Sequence, residues 1–117
     1  MIFAIIAVFA TTLEAAPLIS EAAAREHMKQ GAMLVDVRTV REFEARHLTN
    51  AVNIPLAELK EKVPDRVPDK HRVLLLYCRS GRRSGIAERE LRELGYTNAF
   101  NIGSFNQARK IVEEQTQ

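Results

Sequence analysis

Residues 73–84 read Val73-Leu74-Leu75-Leu76-Tyr77-Cys78-Arg79-Ser80-Gly81-Arg82-Arg83-Ser84. The first five of these residues are apolar, and a run of that length suits a strand that is buried on both faces of a sheet. Further along the chain, Ala87, Leu91 and Leu94 recur at helical spacing, and Gly95 stands where such a helix would end. The sequence therefore predicts a strand, a short loop and a helix, with Cys78 where the strand becomes the loop.

The composition is that of one ordinary globular domain. The chain has 117 residues, of which 46% are hydrophobic and 27% are charged, and a chain of this size commonly folds around one core. Its formal charge of +2 is too small to imply a nucleic-acid partner, so we expect none. Three of its 17 basic residues lie between residues 79 and 83, so the local field at that loop matters more than the net charge.

Cys78 is the only cysteine, and the three histidines are scattered along the chain. A single thiol excludes an intrachain disulfide and a zinc site made of several cysteines. We therefore predict no metal and no cofactor. The chain also has no second thiol that could resolve an oxidised Cys78.

Residues 1–16 are predicted to be an export signal. Residues 2–10 are uninterruptedly apolar and are followed by small residues as far as Ala16. Such a run is too short to span a bilayer and is typical of the apolar core of a secretory signal. We expect a periplasmic or otherwise exported protein with no stable membrane span, cut after Ala10 or Ala16, and one domain over residues 18–117. Because no Lys or Arg precedes the run, an N-terminal anchor or a segment docked on the core stays open, and the protein would be cytoplasmic without an export signal.

Short strands alternate with helices along the rest of the chain. This pattern is typical of an α/β fold with a central parallel sheet and helices on both faces. Strands are predicted at residues 33–37, 51–54, 73–77 and 99–102. Helices are predicted after Ser20, after Thr39, from Leu56 to an end at Pro64, after the cysteine loop (residues 78–84), and from Phe105 onward. Thr39 and Glu42 have the spacing of a capping box. Sites in such sheets form outside the carboxyl ends of the strands, where both Asp36 and Cys78 stand.

Cys78 can act as a nucleophile only as its thiolate, and an unperturbed thiol is only a few per cent ionised at neutral pH. The N-terminus of the following helix would lower its pKa by about one unit. Further lowering needs either an arginine of the loop close to the sulfur or backbone N–H groups that point inward as donors. Gly81 can adopt the backbone angles that the second arrangement requires.

Asp36 and Arg38 are predicted to form a network that supports this loop, because alternate residues of a strand lie on the same side. A proton-transfer role for Asp36 stays open. His47 is interpreted either as a loop-packing residue or as an acid–base group.

The loop Cys78-Arg79-Ser80-Gly81-Arg82-Arg83-Ser84 resembles the active-site loop of the rhodanese family of sulfurtransferases, and the resemblance extends from about Leu18 to Phe105. Further motifs that carry it are Asp36-Val37-Arg38, Glu42-Phe43, His47-Leu48, Ala51-Val52-Asn53-Ile54-Pro55, Leu94-Gly95-Tyr96 and Asn101-Ile102-Gly103. Residues 55–61, with the rhythm Pro-Leu-x-Glu-x-Lys-Glu, and the turn Val67-Pro68-Asp69-Lys70 resemble most the small single-domain periplasmic thiosulfate sulfurtransferases of the phage-shock response. Two motifs depart from the family pattern: Arg46-His47-Leu48 replaces the usual Gly-His-Ile, and Gly103-Ser104-Phe105 lacks the second glycine and a nearby tryptophan.

The resemblance implies a rhodanese-like domain and a two-step thiosulfate sulfurtransferase reaction. The Cys78 thiolate would take the outer sulfur of thiosulfate as a persulfide and release sulfite, and cyanide or a cellular thiol would then remove that sulfur. The resemblance also implies a substrate site formed by the side chains and N–H groups of Arg79, Ser80, Gly81, Arg82, Arg83 and Ser84. We expect a monomer whose partners are these small molecules.

Two other functions stay open. A sulfur carrier or thiol sensor would use the same low-pKa cysteine without rapid turnover of thiosulfate. A cysteine phosphatase or arsenate reductase also places a cysteine in a loop before a helix, but such a site needs an arginine six positions after the cysteine. Here that position is Ser84, and Arg83 comes one residue early, so the spacing favours a sulfur atom over a phosphate.

Overall fold

The computed structural model describes residues 19–113, and the predicted export signal lies outside them. In chain order the elements are α1 (Glu21–Lys29), β1 (Met33–Asp36), α2 (Val40–Ala45), β2 (Val52–Asn53), a 3-10 turn (Leu56–Glu58), α3 (Leu59–Arg66), β3 (Leu74–Tyr77), α4 (Arg82–Glu93), β4 (Ala99–Gly103) and α5 (Phe105–Glu113). No helix within this part of the chain is long and apolar enough to cross a membrane.

The described strands form one parallel sheet in the order β2-β1-β3-β4. β1 lies between β2 and β3, with Val35 opposite Val52 and Leu34 opposite Leu75. β3 also pairs with β4, and a register irregularity after Leu76 places Tyr77 opposite Gly103. Helices cover both faces of this sheet, so the predicted α/β architecture is confirmed.

The central strand β3 is buried along its whole length, as its apolar sequence predicted. Leu74 and Leu76 pack with residues of α3 and α4 in one core cluster, whereas Leu75 and Tyr77 pack with residues of α1 and α5 in the other. Full burial of a leucine side chain contributes about 1.5–3 kcal/mol, so this strand stabilises both helical layers. Its carboxyl end also fixes the position of Cys78.

The predicted starts of α1 and α2 are confirmed by hydrogen bonds at their caps. Ser20 Oγ accepts from the Ala23 N–H at 3.1 Å. Thr39 Oγ1 accepts from the Glu42 N–H at 3.2 Å, and the Glu42 carboxylate accepts from the Thr39 N–H in return. These side chains satisfy N–H groups that the first turn of a helix leaves without partners.

Pro64 does not end its helix, so that prediction was wrong. α3 continues to Arg66 with Pro64 inside it. A proline removes the hydrogen bond to the carbonyl four residues earlier, and here that carbonyl belongs to the exposed Lys60, where water can replace the lost donor. Leu59 and Val63 are buried in the core, and their packing holds the helix in place across the proline.

Candidate active site

Cys78 and Asp36 lie at the carboxyl ends of two neighbouring strands. β1 ends at Asp36 and β3 at Tyr77, and the Val37 N–H donates to the Tyr77 carbonyl at 3.1 Å. On the other side, the Cys78 N–H donates to the Gly103 carbonyl of β4 at 3.3 Å. The backbone at the cysteine is therefore held from both sides, at the edge of the sheet where parallel α/β folds form their sites.

Hydrogen-bond donors of the loop surround the Cys78 sulfur. The Gly81 nitrogen lies 3.0 Å from Sγ, and the Ser84 hydroxyl oxygen lies 3.4 Å from it. Burial raises the pKa of the Cys78 thiol, but hydrogen bonds from the Ser84 hydroxyl and from the backbone N–H groups of Ser84, Gly81 and Ser80 outweigh burial and leave the pKa below its ordinary value. Inward-pointing donors, one of the two arrangements that the sequence left open, are thus present at the sulfur.

Gly81 makes this arrangement possible. Its φ of 93° lies in the left-handed region that favours glycine. A Cβ atom at this position would lie 3.3 Å from the Cα of Gly103, so the neighbouring backbone would have to give way. The turn at Gly81 directs its N–H towards the sulfur and lets α4 begin at the next residue.

The three arginines of the loop have different surroundings. Arg83 forms a bidentate ion pair with Glu42 of α2, with N–O distances of 2.6 and 2.9 Å. The hydrogen bond from Arg83 lowers the pKa of Glu42 to about 2. Arg79 and Arg82 are exposed, and neither forms an ion pair with another residue of the described chain. Arg79 and Arg82 are therefore the loop cations that are free to meet an anion.

Asp36 and Arg38 form a buried ion pair. Arg38 Nη2 lies 2.7 Å from Asp36 Oδ2, and the two side chains are 9% and 0% exposed. Arg38 Nη2 also donates to the Arg46 carbonyl at 2.6 Å, and the guanidinium lies 5.1 Å from the centre of the Phe105 ring. Because the Phe105 N–H donates to the Arg79 carbonyl at 3.4 Å, a single residue connects this pair to the cysteine loop.

His47 lies on the surface. Its Nδ1 donates to the Phe43 carbonyl at 2.9 Å, and its ring stacks on the Phe43 ring with 3.9 Å between the centroids. The described residues show no hydrogen bond between His47 and the cysteine loop. Over the same residues, no group of three or more His, Cys, Asp or Glu side chains is arranged to hold a metal ion.

Comparison with protein families identifies the fold. The family model described as the rhodanese-like domain matches residues 20–110, a segment that contains Asp36, Arg38 and the whole cysteine loop. The chain belongs to the rhodanese-like domain family. The resemblance seen in the sequence motifs is thereby confirmed.

Curated relatives of this rhodanese-like chain include a named sulfurtransferase. The chain is 44% identical to thiosulfate sulfurtransferase PspE of Escherichia coli over 69 residues, which cover 59% of this chain and 66% of PspE. It is 42% identical over 71 residues to the uncharacterized protein YqhL of Bacillus subtilis, covering 61% of this chain and 55% of YqhL. The match thus spans about two thirds or less of the length of these relatives.

Solved rhodanese structures have the same fold. A rhodanese with anions from E. coli superposes with a TM-score of 0.63 at 39% identity, covering 66% of this chain and 91% of that one. The human single-domain sulfurtransferase TSTD1 superposes with a TM-score of 0.67 at 29% identity, covering 81% of this chain and 96% of TSTD1. These relatives place the chain in a family of sulfurtransferases.

Two residues that contact the cysteine loop were not predicted to belong to the site. Glu42 was interpreted as a capping residue and as part of the Glu42-Phe43 motif, and its pairing with Arg83 was not predicted, because it joins residues 41 positions apart. Asn101 accepts a hydrogen bond from the Ser84 hydroxyl at 2.7 Å and donates to the Gly81 carbonyl at 3.2 Å. The available signals for Asn101 were an amide side chain in an otherwise apolar strand and its place in the Asn101-Ile102-Gly103 motif of the family resemblance.

A cleft of about 580 Å³ lies beside the loop, between α4 and β4. Its lining includes Gly81, Arg82, Arg89 and Asn101 but not Cys78. Cys78 has no exposed surface. The cleft therefore gives solvent access to the outer side of the loop, while the sulfur itself is covered.

The ion pair between Glu42 and Arg83 predicts a specific acid sensitivity. Because the pKa of Glu42 falls from 4.5 to about 2 on folding, the paired carboxylate stabilises the fold above its unfolded pKa, and this contribution is lost as the pH falls towards 2. Glu42→Gln cannot titrate. We expect the free energies of unfolding of wild type and Glu42→Gln, measured in urea at a series of pH values, to differ at neutral pH and to converge in acid. If the difference between the two free energies of unfolding stays constant down to about pH 2.5, this assignment is contradicted.

Proposed function

We propose that this protein is a thiosulfate sulfurtransferase that carries the transferred sulfur as a persulfide on Cys78. The observation that carries the proposal is the sulfur itself, with the Gly81 N–H at 3.0 Å and the Ser84 hydroxyl at 3.4 Å. Donors placed in this way stabilise a thiolate before the reaction and negative charge on sulfur after it. Membership of the rhodanese-like family and the identity with PspE support the same activity.

In the first step, the Cys78 thiolate attacks the outer sulfur of thiosulfate. A bond forms between Sγ and that sulfur, the sulfur–sulfur bond of thiosulfate breaks, and sulfite leaves with the electron pair of the broken bond. Cys78 then carries a persulfide. No oxidant is consumed, because the outer sulfur is already at the oxidation level of a persulfide sulfur.

In the second step, an external thiophile attacks the outer sulfur of the persulfide. Cyanide yields thiocyanate, a thiolate yields a new persulfide, and in both cases the electron pair returns to Sγ as the Cys78 thiolate. Since Cys78 is the only cysteine of the chain, the acceptor has to come from another molecule. We propose that the protein acts as a monomer and that its sulfur donor and its sulfur acceptor are small molecules.

The charges around the loop suggest different roles for its arginines. Thiosulfate is a dianion, and the exposed Arg79 and Arg82 are assigned to attract and orient it. Arg83 is already paired with Glu42, so we assign to it the positioning of the loop against α2. Asp36 is occupied by Arg38, which favours a supporting role over proton transfer. Because Cys78 is covered, side chains at the loop must move apart before thiosulfate reaches the sulfur.

The experiment that tests the proposal is an assay of the purified protein with thiosulfate and cyanide. Catalytic formation of sulfite and thiocyanate is the expected result. A stoichiometric persulfide without turnover would instead indicate a sulfur carrier; the putative sulfur carrier protein YrkF of B. subtilis is 30% identical over 69 residues. Hydrolysis of an aryl phosphate without any sulfur transfer would contradict both and favour a phosphatase.

Export is proposed on separate grounds. The apolar residues 2–10 have the length of the core of a secretory signal, and removal of residues 1–16 would leave the complete segment that matches the rhodanese-like family. Mass spectrometry of the protein purified from the periplasmic fraction should show a new N-terminus after Ala10 or Ala16. Recovery only from the cytoplasm, with residue 2 or Met1 intact, would exclude export.

A further inference from the structure

Asn101 connects three groups at the cysteine loop. Its Oδ1 accepts from the Ser84 hydroxyl at 2.7 Å and from the Gly103 N–H at 2.9 Å, and its Nδ2 donates to the Gly81 carbonyl at 3.2 Å. Two donors face the oxygen and one acceptor faces the nitrogen, so only one orientation of the amide satisfies all three. The position of the acceptor oxygen beside Ser84 is therefore well defined.

The Ser84 hydroxyl has one proton and three acceptors within reach. Asn101 Oδ1 lies at 2.7 Å, whereas Cys78 Sγ and the Gly103 carbonyl each lie at 3.4 Å. Ser84 is fully buried, so bulk solvent does not reach its hydroxyl. When the hydroxyl donates to Asn101, an oxygen lone pair of Ser84 is left to face Sγ, which suits a neutral thiol that donates its own hydrogen.

A thiolate needs the opposite arrangement. The Ser84 hydroxyl has to turn its proton towards Sγ, and Asn101 Oδ1 and Ser84 Oγ then stand 2.7 Å apart with no proton between them. Two oxygen lone pairs at that distance repel each other, so donation to the sulfur is opposed by the acceptor on Asn101. In the persulfide the negative charge moves to the outer sulfur, and the hydroxyl is free to return to Asn101.

We propose that Asn101 is a positioning residue that competes with the Cys78 sulfur for the hydroxyl proton of Ser84. The proton stays bonded to Ser84 Oγ throughout, and only the direction of its hydrogen bond changes with the charge on Sγ. In catalysis this inference rests on the proposed persulfide chemistry, in which Sγ alternates between a thiolate and an uncharged sulfur. In the resting protein the inference is based on the distances from Ser84 Oγ to Asn101 Oδ1, to Cys78 Sγ and to the Gly103 carbonyl.

The test is the pH dependence of Cys78 alkylation by iodoacetamide in four folded proteins: wild type, Ser84→Ala, Asn101→Ala and the double variant. Ser84→Ala removes a donor to the thiolate, so its alkylation midpoint should rise by about half a pH unit to one unit. Asn101→Ala removes the competing acceptor, so its midpoint should fall by a similar amount. In the Ser84→Ala background, Asn101→Ala should produce no fall, because no hydroxyl remains to be released.

A merely structural role for Asn101 predicts a different pattern. Loss of its bond to the Gly81 carbonyl would loosen the loop and raise the alkylation midpoint, and it would do so whether or not Ser84 is present. A rise of the midpoint in Asn101→Ala, or an equal effect of Asn101→Ala in the Ser84→Ala background, would overturn the proposal. If Asn101→Ala does not fold, Asn101→Asp keeps an acceptor oxygen for Ser84 and for the Gly103 N–H. Its added charge raises the midpoint in any case, but the rise should be larger with Ser84 present than in Ser84→Ala, and equal rises would contradict competition.

Alkylation requires no thiosulfate, so the outcome is separate from that of the proposed function. If the protein turns over thiosulfate, the pH profile of kcat/KM should shift in the same direction as the alkylation midpoint in each variant. Absence of turnover with opposite alkylation shifts for Ser84→Ala and Asn101→Ala would reject the sulfurtransferase proposal and leave the competition for the proton supported.

Discussion

Cys78→Ser is expected to abolish formation of thiocyanate from thiosulfate and cyanide. Serine cannot form a persulfide, its hydroxyl is not ionised at neutral pH, and the chain contains no other thiol. Because enzymes accelerate their reactions by about 10⁶-fold or more, the loss should exceed about 1000-fold. The rate is measured by the colour of the thiocyanate complex with iron, against a blank without protein.

The variant should keep its fold, because serine is close to cysteine in size and the Gly81 N–H that points at Sγ finds an oxygen acceptor in its place. Circular dichroism and the melting temperature check this. Ala57→Ser, which makes a similarly small change at an exposed position, is the matched control and should keep wild-type activity. Persistent turnover in folded Cys78→Ser would mean that the reaction does not pass through a cysteine persulfide.

Arg38→Met is expected to cost about 3–5 kcal/mol of unfolding free energy, because it leaves a buried carboxylate without its partner. Asp36 is completely buried, and its two oxygens both bond to the Arg38 guanidinium. The loss is measured from urea unfolding curves. Methionine keeps most of the apolar stem of the arginine, so the change reports mainly on the missing charge and hydrogen bonds.

Lys62→Met is the matched control for that prediction. Lys62 also pairs with a carboxylate, Glu58, at 3.0 Å, but the two side chains are 41% and 43% exposed. Exposed pairs of this kind contribute about 0.3–0.5 kcal/mol. A similar small loss in Arg38→Met and Lys62→Met would show that Asp36 is not held as a buried charge, and it would remove the supporting role assigned to that pair.

The arrangement of the central strand, loop and helix could be predicted because local sequence determines it. The length of the apolar run that ends at Tyr77 suits a buried strand, and Gly81 marks the turn that follows. The placement of Asp36 beside Cys78 followed from a general property of parallel sheets, whose carboxyl ends meet at one edge. Pro64 was misjudged because a rule for single helices ignored the packing of Leu59 and Val63, which are buried in the core.

The pairing of side chains within the site could not be predicted in the same way. Arg83 lies in the loop and Glu42 lies 41 residues earlier, and the capping box already gave Glu42 a local explanation. Asn101 belongs to a predicted strand and to a motif of the family resemblance, but its contacts with Ser84 and Gly81 could not be predicted from either. Contacts between residues far apart in sequence depend on strand order and on helix packing, and the spacing of residues within one motif predicts neither of these.

The most direct test of the account is the mass of the intact protein after incubation with thiosulfate and no acceptor. We expect the protein to gain the mass of one sulfur atom, the gain to map to the peptide containing Cys78, and one sulfite to be released per chain. Addition of cyanide should restore the original mass and yield thiocyanate. An unchanged mass with no sulfite, or a sulfur found on any residue other than Cys78, would contradict the proposed persulfide mechanism.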